Sequence, residues 1–570
     1  MRAWHAVQRA RLPQRCLGFF LALAVAVGTA NAQSLPGSGE LLQQAPRPLV
    51  TAPSSSTGLI LQQPQAGQPD DSSPFLVRRI AITGNTLLST SELHSLVESS
   101  EGKMLNFSYL EALAALITKH YQEHGYLLSR AYIPAQTIND GTVRIAVLEA
   151  RYGAVVLTNT SKLSDALLKS YFAPLQPGQS VVEGPLERSL LLVADVPGAV
   201  VSSTLAPGAA TGTSDLKVSA APGAPYSGYA ALDDAGNRYT GQTRISGAIN
   251  INDPLHQGDV LSVMGMTAGS DLMYGRLGYQ TLLDNGFGTS VGGAVSGLYY
   301  HLGDSAADLH AHGIAQVETL TVMQPFIRST AGNLFMQVAI DSKQLRDEID
   351  VTDIHTDRDT NALTLTLAGD RRDAGGISNM NLSLSVADLS FENAAAESAD
   401  AVAARTRGVY DKFTLSVARL QSLSASNSLY VALNGQLANK NLDSSEQIFL
   451  GGPNSVRAYD VGTVGGAQGG LASVELRHNF DVRSTGAWQG IAFVDSGIVQ
   501  IYKDPLGPGE NRATLSGAGV GLNWIGPKGW TATAAVATPI GGTPALAGDT
   551  SSTRLWVEVR KAFLGKPKSQ

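Results

Sequence analysis

Residues 429–437 read LYVALNGQL, and their apolar and polar side chains alternate. One face of an extended chain would carry the aliphatic residues Leu429, Val431, Leu433 and Leu437. The opposite face would carry Tyr430, Ala432, Asn434 and Gln436. Because successive side chains of a β-strand point to opposite faces, this pattern predicts a strand that lies between an apolar and a polar environment.

The same alternation recurs in LTLTL (363–367), LSLSV (382–386) and FTLSVARL (413–420). A soluble β-sandwich would also alternate, but its buried face would be apolar, whereas one face here is polar, as the wall of a water-filled lumen requires. Residues 223–570 have room for about 16 strands at roughly 20 residues per strand and connection. We therefore predict a transmembrane antiparallel β-barrel of the outer-membrane type.

The composition agrees with such a barrel. Charged residues make up 16% of the 570 residues and glycines number 60, which suits lipid-facing strands joined by many turns. Beyond the N-terminus, no apolar run reaches the roughly 18 residues of a membrane-spanning helix. The net charge of −7 argues against a nucleic-acid partner, which would require a basic surface.

Residues 1–32 have the three parts of a secretory signal peptide. A basic region runs from Arg2 to Arg15, an apolar region spans residues 17–27, and Ala30-Asn31-Ala32 supplies a small-residue cleavage site. Removal of this segment would also remove Cys16, the one cysteine of the chain. We therefore expect an exported mature protein without disulfides or thiol chemistry.

The segment between the signal peptide and the first predicted domain, residues 33–74, is rich in proline, serine, glutamine and glycine. This composition predicts a linker. Within it, GELLQQ (39–44) favours a short docking helix.

Two small α+β units are predicted after the linker. In residues 75–150 the order is β-α-α-β-β, with Ser89 and Glu92 in the spacing of a capping box at the first helix. Ser108 and Glu111 repeat this spacing and predict the start of the second helix. Residues 151–222 repeat the element order, which indicates tandem copies of one domain.

Other chemistry has weak support in the sequence. His301, His310 and His312 are near one another, but isolated loop histidines are usually solvated, and we expect no metal site. The acidic segment 347–360 lacks the ordered spacing of a calcium loop and is expected to be a solvated extracellular loop. Neither a nucleophile elbow nor a phosphate-binding loop lies between a predicted strand and helix, so we expect neither an enzyme nor a cofactor.

One glycine-flanked segment, GGPNSVRAYDVG (451–462), contains a single arginine, Arg457. By itself it predicts a surface loop. Its spacing leaves open whether Arg457 is solvated or held by a carboxylate elsewhere in the chain.

Taken together, these features resemble the transporter component of two-partner secretion, the haemolysin-activator-like TpsB proteins of the barrel-assembly superfamily. The resemblance extends from about residue 75 to residue 563. It is carried by GYLLSRAYIPAQTINDGTVRIAVLEA (125–150), similar to the end of the family's first POTRA domain, and by two short motifs. SVRAYD (455–460) resembles the tip of the family's lumenal loop, and FVDSG (493–497) resembles the barrel strand that faces this tip.

The resemblance implies that the loop around 451–465 folds back into the barrel, preceded by a plug helix near the N-terminus. The implied loop tip is Val456, Arg457, Ala458 and Tyr459, and the implied wall motif is Phe493, Asp495 and Gly497. It also implies an ion pair between Arg457 and Asp495. The family tip usually has glycine where this chain has Ala458, and the chain continues for a few residues past Phe563, where the family commonly ends on an aromatic residue.

The function implied is export of an unfolded exoprotein through an outer-membrane pore, with two POTRA domains in the periplasm. The implied partners are a secreted adhesin, haemolysin or contact-dependent toxin of the TpsA type, outer-membrane lipid, and the barrel-assembly machinery during biogenesis. An insertase of the same superfamily and a passive porin are the alternatives.

Overall fold

In a computed structural model, the described residues are 35–46, 48–49, 53–61, 73–138, 140–481, 485–542, 544–547 and 553–565. The predicted signal peptide, residues 1–32, lies outside them. The linker contributes helix α1 (Ser38–Gln43) and strand β1 (Leu59–Leu61). Among the described residues, no helix combines the length and the hydropathy needed to cross a membrane.

The first α+β unit packs helices on a small sheet. Its elements are strands β2 (Phe75–Val77), β3 (Arg79–Thr83), β4 (Lys103–Leu105), β5 (Arg130–Tyr132) and β6 (Thr142–Leu148), helices α2 (Thr90–Ser95) and α3 (Phe107–Glu123), and a 3-10 turn, Glu98–Ser100. In the main sheet, β6 lies between β3, to which it is parallel, and β5, to which it is antiparallel. A carboxylate ties this unit together: Glu149 accepts hydrogen bonds from the backbone N–H groups of Thr86 and Leu87 and from the Tyr121 hydroxyl.

The start of helix α3 differs from the prediction. Ser108 does not cap it; the side chain of Asn106 accepts from the Tyr109 N–H at 2.9 Å, and the helix begins at Phe107. Asparagine is as good an N-cap as serine, so Asn106 caps the helix, two residues before the predicted cap at Ser108.

The second α+β unit has the same topology as the first. It consists of strands β7 (Arg151–Asn159), β8 (Ala199–Pro207) and β9 (Thr213–Pro222) and helices α4 (Asp165–Ser170) and α5 (Glu183–Ala194). Here β9 lies between β7, to which it is parallel, and β8, to which it is antiparallel. The free edge of β8 is covered by linker strand β1, which pairs with it in parallel from Leu59 to Leu61.

The C-terminal region is a closed barrel of 16 antiparallel strands. The barrel strands are β10 (Tyr226–Asp233), β11 (Arg244–Asn252), β12 (Val260–Thr267), β13 (Leu272–Leu282), β14 (Ser290–His301), β15 (Ala311–Arg328), β16 (Gly332–Ile349), β17 (Ile354–Asp373), β18 (Gly376–Phe391), β19 (Gly408–Ser422), β20 (Asn427–Ala438), β23 (Gln468–Phe480), β24 (Ala487–Gln500), β25 (Arg512–Ile525), β26 (Trp530–Pro539) and β27 (Arg554–Leu564). The last strand pairs antiparallel with β10, so the sheet closes on itself. The predicted barrel is confirmed, and with it the antiparallel sheet of about 16 strands.

Shorter elements lie in the connections of the barrel. They are strands β21 (Ile448–Leu450) and β22 (Val464–Gly466), helix α6 (Ala394–Val402), and the 3-10 turns Asp304–Leu309, Asp350–Thr352, Pro527–Gly529 and Ala545–Ala547.

The alternation seen in LYVALNGQL separates lipid from lumen. Leu433 and Leu437 are exposed on the outer surface of β20, whereas Gln436 is buried inside the barrel, where its amide donates to the carbonyl groups of Glu446 and Ala467. An outer apolar face and an inner polar face are typical of outer-membrane barrels.

The end of the barrel that contacts the second α+β unit is the one that the resemblance drawn from the sequence places in the periplasm. Arg328, at the end of β15, binds Asp195 at the end of α5. The connection between β16 and β17 lies at the opposite, extracellular end. The acidic segment 347–360 lies here, but it is mostly strand and contributes only a short turn around Asp350–Thr352 rather than a long loop. Cross-strand hydrogen bonding from Ile349–Ile354 onward accounts for the difference.

Candidate functional site

The connection between β20 and β23, residues 439–467, folds back into the barrel instead of extending outward. Strands β21 and β22 form a small hairpin inside it. Gly451 has a φ of 102°, and a Cβ atom there would lie 2.0 Å from the carbonyl oxygen of Asp460. The glycine therefore permits the tight return of the loop around its tip.

Arg457 lies at the loop tip and is buried against the barrel wall. Its Nε and Nη2 atoms each donate to a different oxygen of Asp495 at 2.8 Å. The Asp495 carboxylate has 0% solvent exposure and also accepts from the Arg457 backbone N–H. The structure thus brings the two residues together in a bidentate contact, a geometry that a lysine would not reproduce.

Phe493 and Gly497 face the lumen on the same strand as Asp495. The ring of Phe493 lies under the Arg457 guanidinium, with 3.4 Å between the Cζ atom and the ring centroid. A Cβ atom at Gly497 would lie 2.6 Å from a methyl carbon of Leu450 on β21. The motif therefore supplies a stacking surface, an anion and room for the returning loop.

The side chains of the other tip residues pack against the barrel wall. Val456, Ala458 and Tyr459 are fully buried, and Ala458 rests against Gly517 on β25. The φ of Ala458 is not positive, so alanine is accepted where the family usually has glycine. On the far side of the tip, the indole of Trp556 donates to the Arg457 carbonyl oxygen at 2.7 Å.

Sequence reasoning missed further partners of Arg457. Glu475 on β23 accepts from its Nη1 atom at 2.7 Å, and Ser473 accepts from its Nη2 atom at 3.1 Å. Ser473 and Glu475 lie directly across from Asp495 and Phe493 in the sheet. The alternation of ASVELR indicates that Glu475 and Ser473 share a face, but only the strand register places that face opposite Arg457.

The base of the loop is also held by buried and half-buried charges, and two of them, Asp347 and Arg358, lie in the segment 347–360 that was expected to be solvated. Glu446 accepts from Lys343 at 2.5 Å and also from Lys412, and Arg358 binds both Asp443 and Asp347. These pairs connect the loop to strands β16, β17 and β19. Because breaking a buried ion pair is costly, they keep the loop inside the lumen.

Helix α1 occupies the lumen beside the loop. The N–H and hydroxyl of Ser38 donate to the carboxylate of Asp347 at 2.7 and 3.0 Å, and Leu41 is buried among inward-facing residues of the barrel. A Cβ atom at Gly462 would lie 2.2 Å from Glu40 Oε1, so the helix and the loop are in direct contact. The segment 39–44, predicted from the sequence as a short helix, thus lies within the barrel.

Arg328 joins the barrel, the second α+β unit and the linker. Its Nε and Nη2 atoms donate to the two Asp195 oxygens at 2.7 and 2.9 Å, and its Nη1 atom donates to Asn333 at 2.8 Å. The Ser54 carbonyl oxygen also accepts from Arg328, and the Ser54 N–H donates to Asp195 at 2.7 Å. The linker that follows α1 is therefore tied to the junction of the other two parts.

Two groups of side chains have the composition of metal ligands. Glu92, His120 and His124 lie together in the first α+β unit, and His312, Glu348 and Asp350 lie at the extracellular end of the barrel. The His120 hydrogen bond, followed by the charges of both histidines, lowers the pKa of the Glu92 carboxyl despite partial desolvation.

Comparison with known protein families identifies the family of this chain. Residues 212–524 match the family described as haemolysin secretion/activation protein ShlB/FhaC/HecB. The chain belongs to this family. Residues 75–150 match the ShlB-type POTRA domain.

Individual relatives agree with the family assignment. The heme/hemopexin transporter protein HuxB of Haemophilus influenzae strain 86-028NP is 26% identical over 533 residues, covering 92% of this chain and 94% of that protein. The outer membrane transporter CdiB of Escherichia coli O6:K15:H31 is 23% identical and covers 81% of this chain and 79% of that protein. A solved structure of CdiB from Escherichia coli superposes with a TM-score of 0.67 at 21% identity, over 88% of this chain and 93% of that one.

Membership in the family confirms the resemblance drawn from the sequence. The chain is an outer-membrane transporter of the two-partner secretion type, with a 16-stranded barrel and periplasmic POTRA structure before it. Export is therefore favoured over the insertase and porin alternatives.

Proposed function

We propose that this chain captures one unfolded exoprotein in the periplasm and exports it through the barrel to the cell surface. In this division of labour, residues 75–150 and 151–222 act as two POTRA domains and residues 223–570 as the pore. The cargo is an adhesin, a haemolysin or a contact-dependent toxin that carries an N-terminal secretion domain. The observation that carries the proposal is the lumenal loop, which Arg457 and Asp495 hold inside the barrel of a secretion-family protein.

Export requires that the lumen empties. Helix α1 and the loop at residues 439–467 both lie in the path of a passing chain, and both are held by side-chain contacts that can break and re-form. We infer that cargo binding displaces helix α1 and releases the Arg457 contact, and that folding of the exoprotein outside the cell supplies the free energy. The chain acts as a transporter and not as an enzyme.

Capture of the cargo would use a strand edge of the POTRA units. In the second unit the edge strand β8 is already covered by linker strand β1, and in the first unit the Ala131 N–H on edge strand β5 donates to the Thr118 hydroxyl of helix α3 at 2.9 Å. An extended cargo segment can add to such an edge through backbone hydrogen bonds. Capture at either edge therefore requires the cargo to displace one of these contacts, strand β1 from β8 or the Thr118 hydroxyl from Ala131.

The proposed partners outside the secretion pathway follow from the barrel itself. The exposed aliphatic band, which includes Leu320, Leu363 and Leu433, would contact outer-membrane lipid. The last strand, which ends at Leu564 just after Phe563, would be presented to the barrel-assembly machinery during insertion.

A deletion strain tests the function. Proteins in the culture medium and on the cell surface would be compared with the outer-membrane barrel proteins of the same strain, with and without complementation. Loss of one large secreted protein, with other barrel proteins unchanged, is expected. A general fall in outer-membrane barrel proteins would instead indicate an insertase and would contradict export as the function.

A further inference from the structure

Four adjacent barrel strands carry a row of metal-binding side-chain types on their outer face. His301 on β14 pairs with His312 on β15, His312 pairs with Glu348 on β16, and Glu348 pairs with His355 on β17. Directly paired residues of antiparallel strands have side chains on the same face, with Cβ atoms about 5 Å apart. The sequence alone showed separate histidines and an acidic segment, and the register of the sheet brings them together.

The row lies at the extracellular rim. Strand β15 runs from Ala311 to Arg328, and Arg328 contacts the periplasmic unit, so His312 lies at the opposite end. Around it the outward side chains are charged rather than apolar: Arg346 binds Asp359 at 3.2 Å and Glu392 at 2.6 Å. These strands therefore rise above the lipid, where a solvated ion can reach the row.

The donor atoms of His312, Glu348 and Asp350 lie close together, and His355 approaches them beside Glu348. His312 Nε2 lies 3.2 Å from Asp350 Oδ1 and 3.9 Å from Glu348 Oε2, and His355 Nδ1 lies 3.7 Å from the same Glu348 oxygen. Four ligands at about 2.1 Å from a tetrahedral ion are roughly 3.4 Å from one another. The separations among His312, Glu348 and Asp350 suit one ion, and rotation of the His355 ring away from its contact with Glu348 would add the fourth donor.

The His355 ring also contacts a carboxylate through its other nitrogen atom. The second nitrogen of His355, Nε2, lies 3.4 Å from Asp353 Oδ1. Carboxylates in this position orient a ligating imidazole and fix its tautomer in metal proteins. Two imidazoles and two carboxylates form a donor set that suits zinc and related divalent transition ions better than magnesium or calcium.

We propose that His312, Glu348, Asp350 and His355 form a binding site for a divalent transition-metal ion of the zinc type. The site replaces the expectation, drawn from the sequence, that the protein holds no metal. A bound ion would tie the turn at Asp350 to strands β15 and β17 and thereby stiffen the extracellular rim of the pore. His301, the cross-strand neighbour of His312, is a reserve ligand on the same face.

The test is zinc binding to the full-length, tag-free protein in detergent, measured by calorimetry and by competition with a chromophoric zinc chelator. H312A/H355A is compared with H120A/H124A, which removes the histidine pair of the other metal-ligand-like group. We expect H312A/H355A to bind zinc at the rim site at least about ten-fold more weakly than the unsubstituted protein. H120A/H124A should retain the affinity of this site. E348Q, which preserves size and strand pairing, is expected to weaken the same site.

Heat-modifiable migration in gels serves as the check that each variant barrel is folded. Unchanged zinc binding in folded H312A/H355A or E348Q would overturn the proposal. Loss of all zinc binding in H120A/H124A would overturn it as well, because the metal would then belong to the periplasmic unit. Binding of calcium but not zinc at the rim would refute the assigned ion class.

Discussion

Replacing Arg457 by alanine should release the loop from the barrel wall. The substitution removes the bidentate contact to Asp495 and the contacts to Glu475 and Ser473. It leaves the buried Asp495 without its cation, whereas Glu475 keeps its contact with Arg477. Removing one partner of a buried ion pair costs about 3–5 kcal/mol. Since each 1.4 kcal/mol is about a factor of ten, the docked fraction of the loop should fall by roughly two to three orders of magnitude relative to the released form.

Thiol labelling measures this equilibrium directly. Val456 is fully buried when the loop is docked, so a Val456→Cys probe reacts with a membrane-impermeant maleimide only after release. We expect R457A to accelerate labelling by about 100-fold or more. The labelling rate of R457K should lie between those of the protein with Arg457 and of R457A, because lysine retains the charge but lacks the planar guanidinium group.

The matched control is Arg419→Ala. Arg419 also makes a two-oxygen contact with an aspartate, Asp373, but both side chains are substantially exposed. Exposed pairs are screened by solvent and contribute little, so this variant should change the labelling rate by less than about ten-fold. If R457A behaves like the control, the loop is held by something other than the Arg457 contacts.

Three further outcomes are expected. Leu41→Ala truncates the buried contact of helix α1 with the barrel, at a cost of about 2–5 kcal/mol, and should raise the open probability in planar-bilayer recordings. Gln43→Ala, which removes one exposed hydrogen bond from the same helix to the Ser444 carbonyl oxygen, should have a smaller effect. Arg328→Ala should leave Asp195 without its cation and loosen the second α+β unit from the barrel, which hydrogen exchange at the end of α5 would detect; unchanged exchange would contradict the proposed junction. Burial opposes ionisation of Glu149, but hydrogen bonds from Thr86 and Leu87 outweigh this effect and lower the pKa of its carboxyl group. The first unit should therefore lose stability as the pH falls below the ordinary carboxyl value of 4.5, which amide protection would measure. Glu149→Gln should flatten this pH dependence.

The periodic features of the fold were predictable because they repeat locally. Alternation within LYVALNGQL predicted the barrel strands, and the spacing of Ser108 and Glu111 predicted helix α3. The start of that helix was misplaced because two cap signals, Asn106 and Ser108, lie two residues apart and local sequence does not rank them. Strand β1 was missed because three residues in a linker carry no period, and its partner β8 is far away in the chain.

The residues of the lumenal site likewise include some that were predicted from the sequence and others that were not. The contact of Arg457 with Asp495 was expected from two motifs whose residues resemble a known family. Glu475 and Trp556 lie on strands that no motif marks, and their contacts depend on the strand register of the closed barrel. The row of His312, Glu348 and His355 at the rim also depends on the strand register, since neighbouring strands bring these residues together.

Transport by the purified chain is the most direct test of the export account. The protein would be reconstituted into liposomes with its POTRA region outward, and the urea-unfolded N-terminal part of the secreted protein lost in the deletion strain would be added outside. The account predicts that the exoprotein becomes protected from added protease only when the transporter is present, and that detergent abolishes the protection. Equal degradation with and without the transporter would contradict the claim that this barrel is a protein-export pore.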